Sequence, residues 1–241
     1  MLSYTYSDLS KMIDHSLLNP TFDWATLEKG VAIAKAYDVA SVCIMPYALG
    51  WCARELKGTS IKASTTIGFP HGVHATAVKK AEAEQALMDG CQELDMVVNI
   101  SQVVSGKWGY VRDDIAAVLD VAHAAGQKVK VIFENCYLND DQKIKLCEIC
   151  GELGADWVKT STGYGTSGAT VEDLRLMREH SPAHVQVKAA GGVRVLDKLL
   201  EVREIGVSRV GATATQAILD EARKRLELPP IEVEALALAG Y

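Results

Sequence analysis

The amino-acid sequence predicts a single (β/α)8 barrel. Eight short apolar, β-rich runs recur along the 241 residues, and amphipathic stretches with helical spacing lie between them. The runs are spaced by roughly 25–30 residues on average, the length of one βα unit. Eight such units consume the chain, so residues 1–241 read as one barrel domain with no second domain.

The elements follow in order. The first run is MIDHSLL at 12–18, and the amphipathic ATLEKGVAIAKAY at 25–37 leads to the second, VASVCIMP at 39–46. IKASTTIGFP at 61–70 is third; AVKKAEAEQALMDG at 77–90 then closes on a glycine, where a helix stops, and delivers the fourth, ELDMVVNI at 93–100. VRDDIAAVLDVAHAAG at 111–126 precedes the fifth, KVKVIFEN at 128–135, and DDQKIKLCEICGELGA at 140–155 precedes the sixth, ADWVKTST at 155–162. TVEDLRLMREH at 170–180 and VLDKLLEVREIG at 195–206 flank the seventh, VQVKAAGG at 185–192; VSRVGAT at 207–213 is the eighth. Pro229-Pro230 ends the last helix and releases residues 229–241 as a C-terminal tail. The rival fold, a doubly wound open sheet, usually carries G-x-G-x-x-G after its first strand, and LLNPTFDW offers nothing like it.

Composition narrows the function. The chain is 49% hydrophobic and 23% charged, with neither sign clustered, and its net charge of −6 argues against a nucleic-acid partner. The first twenty residues lack a basic start, an apolar core and a small-residue cleavage site, and no run reaches the ~20 apolar residues that span a bilayer. A cytoplasmic protein without a membrane partner is expected. Six cysteines (Cys43, Cys52, Cys91, Cys136, Cys147, Cys150) fit reduced thiols. Cys147 and Cys150 form a C-x-x-C inside a helical pattern, with no second pair to make a zinc ribbon, so one reads as a core residue and the other as lying at the core's margin. His71 and His74 have no acidic residue or third histidine near them in sequence, so no metal is expected.

Barrel chemistry projects from the carboxyl ends of strands, where interior and exterior side chains alternate. If Val185 and Val187 pack on the helices, Lys188 points inward; in DWVK the same alternation turns Lys159 inward with Trp157. Asp95 shares a face with Val97 and Asn99, and Asp14 with Ser16. Asp95, Lys159 and Lys188 therefore converge from strands four, six and seven. A structural ion-pair network is one reading. The other is catalytic: neighbouring ammonium groups and burial both disfavour charge, so one lysine becomes partly neutral and nucleophilic towards carbonyls. The product is a Schiff base, and Asp95 is placed to move protons around it. That is metal-independent aldolase chemistry, and the residues leave open which lysine attacks.

IDHSLL, IGFPHG, ELDMVVN, VKTSTGYGTSGAT and VKAAGGVR, in this order and spacing, resemble the deoxyribose-phosphate aldolase family of class I aldolases over nearly the whole chain. The resemblance implies a (β/α)8 barrel that reversibly cleaves 2-deoxy-D-ribose 5-phosphate into acetaldehyde and D-glyceraldehyde 3-phosphate without a cofactor. It implies Lys159, in K-T-S-T-G, as the Schiff-base lysine, Lys188, in K-A-A-G-G, as the lysine that perturbs it, and Asp95 as the proton relay.

A phosphate site is expected on the loops after strands seven and eight, where Gly191-Gly192 and Gly211-Ala212-Thr213 expose backbone N–H groups; Thr162 and Gly163 add donors from the sixth. The chain departs from the family after strand eight. Where members carry adjacent hydroxyls, GATAT places Ala214. A lost charge-assisted hydrogen bond is worth roughly 1.5–3 kcal/mol, or about one to two decades of phosphate affinity, unless water or Thr215 substitutes. Further candidates are Cys43 as a pocket wall or core residue, and Asp14, Thr160 and Ser161 as partners of substrate hydroxyls or of strand-end backbone. Glu134 is a candidate partner of a catalytic lysine, and Tyr241 a phenol delivered to the barrel mouth. A homodimer is the expected assembly. The competing functions are an isomerase or aldolase acting on another sugar, phosphorylated or not, and a non-catalytic phosphosugar-binding barrel.

Overall fold

The computed structural model describes residues 4–233 and places eight parallel strands in a closed barrel, each hydrogen-bonded to its neighbours in chain order. They are β1 (Ile13–Leu17), β2 (Ser41–Ile44), β3 (Lys62–Ile67), β4 (Glu93–Val97), β5 (Lys128–Ile132), β6 (Trp157–Lys159), β7 (Gln186–Ala190) and β8 (Val207–Ala212). β1 pairs with β8, which closes the ring. The expected barrel stands, with all eight strands inside the sequence runs that announced them.

The helices are α1 (Tyr6–Ser10), α2 (Trp24–Ala36), α3 (Leu49–Glu55), α4 (Thr76–Met88), α5 (Ile100–Val104), α6 (Trp108–Ala124), α7 (Asp140–Leu153), α8 (Val171–His180), α9 (Leu196–Glu204) and α10 (Thr215–Arg225). Short helices escape a periodicity test, so α1, α3 and α5 had no apolar pattern to announce them. For α1 and α5 the caps explain them better. Thr5 accepts from Asp8 N and Asp8 accepts from Thr5 N, a reciprocal box around α1. Asn99 Oδ1 accepts from Gln102 N and starts α5 at the end of the fourth run. The last helix stops at Arg225, ahead of Pro229-Pro230; Arg223 then donates to Pro229 O and draws the departing chain back.

Alternation sorts the strand side chains into two layers. Ile13, Leu17, Leu94, Met96, Val129, Val131, Val158 and Val187 join the apolar cluster between sheet and helices. Their strand neighbours Asp14, Glu93, Asp95, Lys130, Trp157, Lys159 and Lys188 are buried outside that cluster, in the interior of the ring. The apolar layer supplies the stability and frees the inner layer to be polar.

Among the described residues, one fully buried ion pair lies outside the barrel interior. Lys79 on α4 is fully buried; its Nζ donates to Asp114 Oδ2 of α6 at 2.5 Å and to Val97 O, at the end of β4, at 2.8 Å. Thr76 donates to the other Asp114 oxygen at 2.8 Å. A Cβ on Gly68 would sit 2.8 Å from Lys79 Cε, and Gly68 has φ of +65°, so the β3–α4 turn needs glycine twice over. Lys79→Met strands the Asp114 carboxylate and should cost about 3–5 kcal/mol of unfolding free energy in urea. Losing less than about 1 kcal/mol would count against a structural role for the pair.

Candidate active site

Six strands send charged side chains to the middle of the ring. Asp95 on β4 is fully buried and accepts from three ammonium groups: Lys130 at 2.9 Å, Lys159 at 2.7 Å and Lys188 at 2.8 Å. Asp14 on β1 receives Lys188 at 2.6 Å, Arg209 at 2.6 Å and a hydrogen bond from Ser41 at 2.7 Å, with Lys130 3.4 Å away. Glu93 lies one step lower on β4; Arg209 meets it with both terminal nitrogens at 2.9 Å, and Lys130 reaches it at 2.7 Å. Below these, the indole of Trp157 is covered by Lys128, Lys130 and Arg209, at 5.0–5.6 Å from the ring, and donates to Ser208.

The lysines differ in electrostatic setting. For Lys159, burial disfavours the charge most, Asp95 opposes, Lys188 adds to the loss, and the balance lies below the ordinary lysine value. Burial also works against Lys188, but Asp14 and Asp95 outweigh it and hold it above the ordinary value. Lys130 is held well above, because Asp14, Asp95 and Glu93 all face it. Of the three, only Lys159 has a single carboxylate, and it shares that one with two other cations. An amine so placed is the one that gives up its proton.

Above this layer the cleft opens at the carboxyl end of the barrel. Asp14, Cys43, Lys159 and Lys188 form its floor, and Gly163, Gly191, Gly192, Gly211 and Thr213 line one wall with Arg194. That wall is held by backbone contact. Ala169 N donates to Ala190 O and Gly191 O, and a Cβ on Gly168 would lie 2.6 Å from the Gly191 carbonyl, so the loops after β6 and β7 pack without side chains between them. Tyr164 crosses the mouth: its hydroxyl donates to Leu18 O at 2.9 Å, and its ring meets Phe69 edge-on at 5.6 Å. Loops after β1, β3 and β6 are thereby joined.

The structure brings together Asp14, Cys43, Asp95, Lys159, Lys188 and the glycines anticipated from sequence. It separates others. Glu134 does not pair with a lysine: it stands in the left-handed region at φ of 59° and accepts from both the backbone N–H and the hydroxyl of Thr162, bracing the β6 loop. Thr160 is absorbed by strand-end backbone, donating to Ala190 O and accepting from Ala190 N, and Ser161 donates to Thr160. Thr215 does not replace the hydroxyl absent at Ala214, because its Oγ1 is bonded at 2.7 Å to Nδ1 of His15, a buried ring whose pKa burial pushes down to about 4. Cys147 and Cys150 are both fully buried in α7. His71 and His74 are exposed. Tyr241 lies outside the described residues.

Sequence reading missed Lys130, Glu93, Arg209 and Arg194. The first two obey the same alternation as Asp95. Arg209 obeys it when counted from Val210 and Ala212 but not from Val207, because the pairing of β7 with β8 shifts register between Val187 and Lys188. Arg194 follows the Gly191-Gly192 turn on the cleft wall.

The charge layer carries a stability consequence. Burial favours neutral Asp14 and Asp95, but the surrounding cations outweigh it and pull both below the ordinary carboxylate range. Their contribution is complete above the unfolded value near ~3.9 and is lost as pH falls through the lower folded values. Unfolding free energy should therefore drop on acidification below about pH 4, less steeply in Asp14→Asn. Urea titrations at stepped pH measure both slopes, and equal slopes would contradict the assignment.

Residues 9–214 match the family model of the DeoC/LacD family aldolases. A deoxyribose-phosphate aldolase of Rhodopirellula baltica is 66% identical over 241 residues, all of both chains, and one of Thermococcus gammatolerans is 46% identical over 90% of this chain and 97% of its own. The deoxyribose phosphate aldolase of Aeropyrum pernix, described as having a unique tetrameric structure, superposes with a TM-score of 0.84 at 28% identity, covering 92% of this chain and 93% of its own. Among the described residues no helix is long and apolar enough to cross a membrane.

Proposed function

The chain belongs to the DeoC/LacD family of aldolases, and from that premise we infer a class I aldolase that reversibly cleaves 2-deoxy-D-ribose 5-phosphate to acetaldehyde and D-glyceraldehyde 3-phosphate. The observation that carries the reading is the placement of Lys159: a buried amine on the cleft floor, depressed in basicity, with Asp95 at 2.7 Å.

Neutral Lys159 Nζ attacks the aldehyde carbon of the open-chain sugar, and the carbinolamine loses water to give a protonated imine. Breaking the bond between the second and third carbons sends its electron pair into that imine, forming an enamine, while the third-carbon hydroxyl loses its proton and becomes the aldehyde of glyceraldehyde 3-phosphate. The enamine carbon then takes a proton, and water releases acetaldehyde and regenerates the amine. Asp95, shared by Lys159 and Lys188, is the group placed to carry these protons, directly or through an oriented water. Lys188 stays cationic between Asp14 and Asp95 and adds to the pressure on Lys159 to be neutral.

The far end of the substrate carries two negative charges when fully ionised. Backbone at Gly163, Gly191, Gly192 and Gly211, the hydroxyl of Thr213 and the guanidinium of Arg194 line the wall we assign to phosphate. Arg194 supplies there a charge that compensates for the hydroxyl absent at Ala214. Asp14 and Thr160 are then supports of the catalytic groups rather than ligands of the sugar. We take the enzyme to be cytoplasmic and homodimeric, working without a metal because the imine itself is the electron sink.

Incubation with acetaldehyde and cyanoborohydride, followed by peptide mapping, should add one reduced two-carbon unit at Lys159. Lys159→Arg should abolish both the adduct and turnover, since guanidinium stays protonated. EDTA should leave turnover unchanged. Full activity in Lys159→Arg would overturn the assignment.

A further inference from the structure

The charged layer contains a mismatch that the reaction above does not use. Four cations, Lys130, Lys159, Lys188 and Arg209, contact three carboxylates, Asp14, Glu93 and Asp95. A dry interior resists a net charge, so one cation must shed its proton or draw water in. Arg209 cannot be the one, because a guanidinium keeps its proton at any pH the fold survives. It also binds most tightly, engaging Glu93 through two nitrogens and Asp14 through one at 2.6 Å.

We propose that Arg209, one layer below the reacting amine, is a positioning residue that keeps Lys159 unprotonated by occupying carboxylate which the lysines would otherwise share. Its bonds go to Glu93 and Asp14, so its influence reaches Lys159 through them. Glu93 is divided between Arg209 and Lys130, which holds it at 2.7 Å and draws on Asp95 as well at 2.9 Å; with Asp14 partly committed to Arg209, Lys188 also leans on Asp95, at 2.8 Å. Asp95 is thereby loaded with two stable cations before Lys159 competes for it. Lys159 faces Asp95 from β4, Lys188 from β7 and Cys43 from β2; behind these stand Asp14 on β1, Lys130 on β5, Glu93 on β4 and Arg209 on β8. β3 sets Thr66 beside Asp95 in register and adds no charge there, and Glu134 beyond the end of β5 is held by Thr162. Removing Arg209 leaves three cations for three carboxylates, and Lys159 then keeps its proton.

This rests on Lys159 being the imine-forming amine, and one experiment separates the two readings. The rate of cyanoborohydride-trapped acetaldehyde adduct at Lys159 is followed against pH by mass spectrometry in four proteins: wild type, Arg209→Gln, Glu93→Gln and the double variant. In Arg209→Gln the rising limb should move to higher pH by about one unit, the size expected for one charge removed at this range in a partly screened interior. Glu93→Gln removes an anion and should move the limb to lower pH. The double variant removes one charge of each sign and should return it to within about half a unit of wild type. A uniform loss of rate in Arg209→Gln with the limb unmoved would overturn the proposal, since a purely packing role acts equally at every pH. If Arg209→Gln shows no cooperative thermal transition, Glu93→Gln decides: an unmoved limb there overturns the proposal. A wild-type protein that gains no adduct at Lys159 would overturn the function assigned to that lysine, and this inference with it.

Discussion

Charges sealed inside a barrel can be satisfied only by one another, and much of this structure follows from that constraint. The interior of a small barrel is filled by side chains, so an ammonium there has no bulk water to fall back on. Lys130, Lys188 and Arg209 each contact at least two carboxylates, whereas Lys159 contacts one. Lys159, the amine we propose as nucleophile, is therefore set apart by what its neighbours have already taken. Such a layer is also fragile: each carboxylate serves several cations, so losing one redistributes charge through all of them.

The surrounding frame keeps those distances. Asp95 and Glu93 lie on one strand, two residues apart, and the end of that strand is tied by Lys79 to Asp114. β6 has three residues and stops at Lys159, so the chain leaves the sheet immediately beyond that amine. Glu134 braces the departing loop at Thr162, and the Gly168–Gly191 contact fixes the other side. The glycine-lined wall and the amine are thus set relative to each other by backbone and by buried ion pairs, the kind of arrangement that holds a bound molecule in a fixed geometry at low entropic cost.

Legibility in the sequence tracked how local each cause was. Strands, their inward faces and the convergence of Asp95, Lys159 and Lys188 follow from alternation over a few residues. Lys130 was equally readable in KVKVI, since Val129 and Val131 mark the helix-facing side; the test simply had to be applied to that strand too. Arg209 was ambiguous, because Val207 and Val210 both face the helices and give it opposite directions, and the register shift between β7 and β8 that reconciles them depends on two strands meeting. Glu134 looked like a lysine partner because it ends a strand, but its left-handed backbone turns it to Thr162, a contact no spacing rule announces. Tyr164 reaching Leu18 across 146 positions belongs to the same class.

The difference between Lys159 and Lys188 shows why pairwise reasoning falls short here. From sequence, two inward lysines near one aspartate are equivalent, and mutual repulsion predicts that one loses its proton without saying which. The symmetry is broken by Asp14, which bonds Lys188 at 2.6 Å. Asp14 in turn is oriented by Ser41 and Arg209, residues with no contact to the reacting amine. Lys188 therefore has two carboxylates and Lys159 one, and burial, which penalises both alike, tips only the second. The lowered basicity of Lys159 is a property of the distribution of charge over β1, β4, β5, β7 and β8, and substitutions of the charged residues on those five strands have a route to that amine that passes through Asp95.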